Sequence, residues 1–227
     1  MSDVLVAIVV RNNEDILRSK LDTICNCPYA YVMPLVIDDG SDDQSPSIVS
    51  DVDIHFVMHE EPLGYGGALM SAFAYAKDYS LGSLFLVPLE AFIDWNTISG
   101  YLSFFKDADI ISGNRFTAQP NIEKKQYKEM VQYFNQQTGL HINDPFSPLK
   151  GISMEHADLF EITEFSDAAL VQILIQAAHF RLKIKEFDCV YPEQGLISHV
   201  EYIEFMPGLK DFITGELHLY PYIKQGH

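Results

Sequence analysis

The first half of the chain alternates short apolar runs with stretches in which apolar positions recur every three or four residues. Val4–Val10 is apolar and rich in β-branched residues, which predicts a strand buried on both faces. Beyond it, Ile16, Leu17, Leu21 and Ile24 share one helical face, and Asn12 or Asn13 stands where a cap belongs. The same reading predicts strands over 31–37, 54–58, 83–87 and 108–112, and helices over 64–77 and 95–105. Strands alternating with helices predict an α/β fold in three layers, a mostly parallel sheet with helices on both faces. Ligands of such sheets bind at the carboxyl ends of the strands.

The second half is less regular. Residues 126–139 read as an amphipathic helix, and 167–180 as a long apolar helix capped by Ser166. A strand is expected over 182–191 and a terminal helix over 201–217, interrupted at Met206, Pro207 and Gly208. Residues 142–151, "INDPFSPLKG", read as a loop punctuated by two prolines. No repeat or linker separates the halves. Residues 1–227 are therefore expected to form one domain, with a ligand-binding half over 1–115 and a second half over 116–227.

Composition narrows the function. The 227 residues are 48% hydrophobic, enough for a folded core. The net charge of -17 argues against nucleic acid, whose phosphates need a basic footprint, and limits any membrane contact to peripheral association. The longest apolar runs are too short to span a bilayer, and "MSDVLVAIVV" reads as a first strand rather than a signal peptide. Three cysteines in no zinc pattern suit a reduced, cytoplasmic protein.

Candidate chemistry gathers where the strands end. Asp38 and Asp39 in "VIDDGSDD" suit hydroxyl, base or cation recognition, or turn and cap chemistry alone. Gly64 and Gly66 in "EPLGYGGA" suit either a phosphate loop or close helix packing. Arg115 in "SGNRF" is placed to meet a phosphate or pair with an aspartate. Asp144 in "NDPFSP" suits a general base or an Asx-type turn. "FLVPLEAF" ends a strand with Glu90 as its single acid. The eight histidines show no metal spacing, and no G-x-S-x-G is present.

In this order the rim segments resemble the inverting, nucleotide-sugar-dependent glycosyltransferases of family 2, in their dolichyl- or polyprenyl-phosphate mannosyl- and glucosyltransferase branch. The resemblance spans roughly residues 4–195. It runs through "VAIVVRNNED", "VIDDGSDD", "PLGYGGALMSAFAYA", "ADIISGNRF", "NDPFSPLKGIS" and "FRLKIKEFDCVYPEQG". It implies the GT-A fold. It also implies transfer of a sugar from a UDP- or GDP-type nucleoside diphosphate to a carbohydrate hydroxyl or polyprenyl phosphate. By resemblance, Asn13, Glu14, Asp38, Asp39, Gly64, Gly66 and Arg115 bind the nucleotide sugar, and Asp144 is catalytic. Glu186 is the acid of the late strand. The family's Asp-x-Asp, which holds Mg2+ or Mn2+, reads Pro88-Leu89-Glu90 here, leaving Glu90 as the metal ligand. An Arg expected near Gln194 is also missing. These departures motivate a second reading, a domain that binds nucleotide, sugar or a protein partner without turnover.

Overall fold

The structure is a computed structural model, and it describes residues 3–117, 119, 125–205 and 208–220. Seven strands form one sheet: β1 (Val4–Val10), β2 (Val32–Asp38), β3 (His55–Met58), β4 (Ser83–Pro88), β5 (Ile110–Asn114), β6 (Lys150–Ser153) and β7 (Ile184–Asp188). Their order is β3-β2-β1-β4-β6-β5-β7, so strands of both halves share the sheet. β1 pairs in parallel with β2 and β4, as β2 does with β3 and β5 with β7, while β6 runs antiparallel between β4 and β5. All seven residues of β1 are buried, as its unbroken apolar run requires at the middle of a covered sheet.

The flanking helices are α1 (Glu14–Cys25), α2 (Ser45–Ser50), α3 (Gly64–Asp78), α4 (Trp95–Leu102), α5 (Lys125–Thr138), α6 (Ala169–His179), α7 (Glu193–Phe205) and α8 (Leu209–Leu219). Among the described residues no helix is long and apolar enough to cross a membrane.

Three expectations change. The stretch around Lys150 is a strand, not the end of a loop. Lys150 is buried, with its Nζ bonded to Ser112 Oγ at 2.7 Å and the Pro145 carbonyl at 3.1 Å, so a charged residue hides a core strand. The terminal helix begins earlier, at Glu193, and is two helices. Gly208, at φ 75°, opens the second, while the predicted break at Met206 and Pro207 lies outside the described residues. The long apolar helix starts at Ala169, one turn from Ser166, whose hydroxyl accepts from the Ala168 N–H at 3.2 Å.

A strap carries the chain from the far end of the sheet back to the rim. Asp158 pairs with Lys77 near the end of α3, Phe160 packs on Phe73, and the Phe165 carbonyl accepts from Gly66 N–H at the start of α3. The strap thus runs alongside α3 in reverse. Two buried glutamines of α6 serve as its backbone partners. Gln176 bonds both N–H and C=O of Glu161, and Gln172 bonds Thr163 through N–H and hydroxyl.

Candidate functional site

The carboxyl ends of β2, β1 and β4 form one rim. β1 lies between the other two, so Asp38 at the end of β2 and Glu90 just past β4 sit two strand spacings apart, about 10 Å. The loops around them are cross-tied. Asn12 N–H donates to Ser41 Oγ at 2.9 Å, and Asp42 N–H to Asn12 Oδ1 at 2.8 Å. Glu14 accepts from the Gln44 N–H at 2.9 Å, and its own N–H donates to Asp43 at 3.0 Å. Glu14 therefore holds two loops together, with its carboxylate turned to the protein.

Asp39 is likewise engaged. Its carboxylate accepts from Leu63 N–H (2.8 Å), Gly64 N–H (2.9 Å) and His59 Nδ1 (2.8 Å) and is 4% exposed. His59 Nε2 in turn meets Ser71 Oγ at 2.8 Å. The aspartate fixes the first turn of α3, whose N–H groups have no intrahelical partners. Asp38 differs. One oxygen accepts from Ser41 N–H at 2.9 Å, while the other is buried with no partner.

The glycines answer to the strap. A Cβ at Gly66 would overlap the Glu164 carbonyl, and one at Gly64 (φ 77°) would stand 2.6 Å from the Phe165 carbonyl. The space a phosphate would need at these two positions is filled by backbone. Of the two roles open to them in the sequence, close packing is the one the structure displays.

Glu90 sits in the single turn Leu89–Ala91 that follows β4. Asn13 Nδ2 donates to its Oε1, and Oε2 has no hydrogen-bond partner among the described residues. Lys20, which nothing in the sequence singles out, places its Nζ against the carbonyls of Leu89 (2.9 Å), Glu90 (3.2 Å) and Phe92 (2.5 Å). Among the described residues no three His, Cys, Asp or Glu side chains assemble for a metal. The donor set fits a divalent cation only as one hard carboxylate oxygen that a ligand's phosphates would complement.

Arg115 and Asp144 lie together, fully buried. Arg115 Nε and Nη2 donate to the two carboxylate oxygens at 2.6 and 2.8 Å, and Arg115 N–H adds a third bond at 3.1 Å. Tyr127 hydroxyl donates to the same carboxylate. Burial opposes ionisation of both partners, yet each offsets it for the other: Asp144 ends below its ordinary range and Arg115 above it. Glu186 secures the loop from β7, accepting from the N–H groups of Asn143 and Asp144 at 2.8 and 2.9 Å. In this arrangement Asp144 serves Arg115 and shows no face to solvent. Arg115 Nη1, however, is buried without a partner.

Two further groups on this side escape a sequence reading. The Tyr65 hydroxyl, in the first turn of α3, is buried without a partner, and burial pushes its pKa well up, with Tyr191, Asp167 and Glu90 adding to the effect. Asp167, which the sequence marks only as favourable charge near a helix start, is carried by the strap to the side of Tyr65, whose pKa it helps to raise. Its side chain is 20% exposed and lies 3.5 Å from His199 Nδ1. His199 Nε2 meets the Phe146 carbonyl at 2.9 Å and must donate to it. Burial, with Arg115 nearby, drives His199 down to about 3, so its Nδ1 is a bare acceptor facing the carboxyl. Burial raises Asp167 to about 6, with Arg115 opposing.

Residues 5–91 match the family model described as glycosyl transferase family 2. No curated protein matches the chain. Among solved structures, it is similar to glucosyl-3-phosphoglycerate synthase from Mycobacterium tuberculosis in complex with Mn2+, uridine diphosphate and glucosyl-3-phosphoglycerate. That match has a TM-score of 0.70 at 15% identity, covering 99% of this chain and 82% of that one. The same synthase with Mn2+, UDP-glucose and phosphoglyceric acid gives 0.71 at 14% identity, covering 94% and 80%. A further structure, described as a mycobacterial protein, gives 0.70 at 13%, covering 99% and 76%. At these identities the likeness establishes the GT-A fold and nothing finer.

Proposed function

We propose that this chain, whose residues 5–91 match the glycosyl transferase family 2 model and whose sheet has the GT-A fold, transfers a sugar at its rim from a nucleoside diphosphate to an acceptor hydroxyl or phosphate. One observation carries the reading: Asp38 Oδ2, Tyr65 Oη and Arg115 Nη1 are buried, polar and unpartnered around the rim. Buried polar groups are almost always satisfied, so these three on the rim side suit a ligand rich in hydroxyls and phosphates. The two structural neighbours that hold UDP or UDP-glucose support a donor of that class.

In this reading Asp38 meets the nucleoside and Asn13 orients Glu90. Glu90 Oε2 is the protein's ligand for Mg2+ or Mn2+, and the cation, when bound, offsets the charge that grows on the departing diphosphate. Arg115, kept charged by Asp144, offers Nη1 to the acceptor side. The acceptor-base role expected of Asp144 passes to Asp167, which is partly exposed and neighbours the bare His199 Nδ1. Asp167 takes the proton of the acceptor hydroxyl as that oxygen bonds to the anomeric carbon. The bond from that carbon to the diphosphate breaks, and its electron pair leaves with the nucleoside diphosphate. A phosphate acceptor needs no proton removed, and Asp167 would then be dispensable.

The test is turnover of UDP- and GDP-sugars with Mn2+ or Mg2+, together with calorimetric binding of each nucleotide. Glu90→Gln is expected to abolish metal-dependent turnover and leave the fold intact. Absence of both binding and turnover across the donor set would overturn the proposal. A second reading, ligand binding without turnover, is favoured by Pro88 at the first metal position. Inactive wild type, with metal-dependent hydrolysis gained in Pro88→Asp/Glu90→Asp, would select it.

A further inference from the structure

We infer that Lys20 is a positioning residue for Glu90, a tethered ammonium that shapes the turn presenting this chain's one metal-directed carboxylate. The inference rests on the role proposed for Glu90 and adds a residue to it.

The turn Leu89–Ala91 is too short to hold its own geometry. Its internal support is the Phe92 N–H, shared between the Pro88 carbonyl at 3.1 Å and the Leu89 carbonyl at 3.2 Å. Leu89 and Phe92 are fully buried, so their carbonyls need protein partners. Lys20 spends its three N–H donors on the carbonyls of Leu89, Glu90 and Phe92. An ammonium suits three carbonyls converging on one point, whereas a planar guanidinium does not.

The same helix reaches the turn a second time. Asn13, at the start of α1, fixes Glu90 Oε1, and Lys20 follows seven residues later. Seven residues are nearly two helical turns, so the two side chains share one face about 10 Å apart. One holds the carboxylate and the other holds the backbone beneath it. The half-buried Lys20 has its pKa lowered by burial, while the Glu90 carboxylate works to keep it charged. The arrangement acts where the family's first aspartate is replaced by Pro88. With a single carboxylate left, the affinity of the site depends on how rigidly that carboxylate is aimed.

The experiment measures Mn2+ binding to the full chain by electron paramagnetic resonance in the presence of UDP, and UDP binding without metal by calorimetry. Lys20→Met, Lys20→Arg and Glu90→Gln are compared with wild type. Removing a group that orients a metal ligand costs about 10-fold or more in metal affinity. Lys20→Met is therefore expected to lose at least about 10-fold in Mn2+ affinity while UDP binding without metal stays at the wild-type level. Lys20→Arg should fall between the two. Lys20→Ala should recover Mn2+ binding when propylammonium is added, which a general loss of stability would not permit. That rescue also decides the matter if Lys20→Met folds poorly. If Glu90→Gln loses Mn2+ binding while Lys20→Met keeps it, this inference alone is overturned. If Glu90→Gln keeps Mn2+ binding, or wild type shows none with UDP present, the metal role of Glu90 falls and the inference with it.

Discussion

Arg115 and Asp144 form a two-pronged ion pair at 2.6 and 2.8 Å with neither side chain open to solvent. Breaking one half of such a pair strands a buried charge. Asp144→Ala is expected to destabilise the fold by about 3–5 kcal/mol. Urea unfolding at pH 7 measures it, and a loss below about 1 kcal/mol would show that the pair is not carrying the guanidinium's burial. Nucleotide affinity should change much less than stability.

Asp167 should show the opposite balance. Its carboxyl is raised from 3.8 to about 6 in the folded protein. A group raised in this way favours folding fully below its unfolded pKa, and that favour is lost as pH rises through about 6. Above that, the ionised carboxylate costs stability, by at most about 3 kcal/mol. Asp167→Asn is therefore expected to melt higher than wild type at pH 8 and to differ little near pH 4. With a hydroxyl acceptor, wild-type turnover should rise with pH through about 6, and the variant should lose that rise along with its activity. A variant that turns over normally would remove Asp167 from the chemistry.

Glycine positions divide sharply. Gly66→Ala drives a methyl into the Glu164 carbonyl and should cost about 3 kcal/mol, because neither the strap nor α3 can retreat easily. Gly100 in α4 and Gly215 in α8 face open space. Alanine there should stabilise by about 0.5–1 kcal/mol through helix propensity. Thermal melts of the three variants test the contrast.

Asp39→Ala leaves Leu63 N–H, Gly64 N–H and His59 without their shared acceptor. Unsatisfied buried donors cost about 1–3 kcal/mol each, so a loss of about 3 kcal/mol or more is expected in chemical denaturation. Hydrogen exchange should quicken first at the start of α3.

The first half of the chain was easy to read from sequence and the second half hard. β1 occupies Val4–Val10 as its apolar run indicates, because a strand covered on both faces needs no polar alternation. β6 hid behind two prolines and a lysine, since a buried lysine bonded to Ser112 and a carbonyl carries no apolar signal. Asp39, Glu14, Gly64 and Gly66 stood out as ligand contacts, and each is committed to neighbouring backbone. Residue type gives the capacity for a bond but not which partner claims it. Lys20 was invisible because its partners are carbonyl oxygens, which every residue owns. Asp167 looked like a favourable charge at a helix start, and only the strap shows where that start is delivered.

The reversal of β6 has a consequence for how such a protein can change. Because β6 runs antiparallel to β4, with Lys150 opposite Leu86 and Ser153 opposite Ser83, it begins at the rim and runs away from it. The 142–149 segment thus enters the sheet from the rim, where its Asp144 meets Arg115 from the end of β5. Asn13, Glu14, Asp38, Asp39, Gly64, Gly66 and Glu90 lie before residue 93, and Arg115, Asp144, Asp167, Glu186 and His199 all follow residue 113. Under the proposed function, donor and acceptor preference would occupy separable lengths of the chain. A crossover near residue 105 would then exchange one of these lengths while leaving the β1, β2 and β4 rim residues in place.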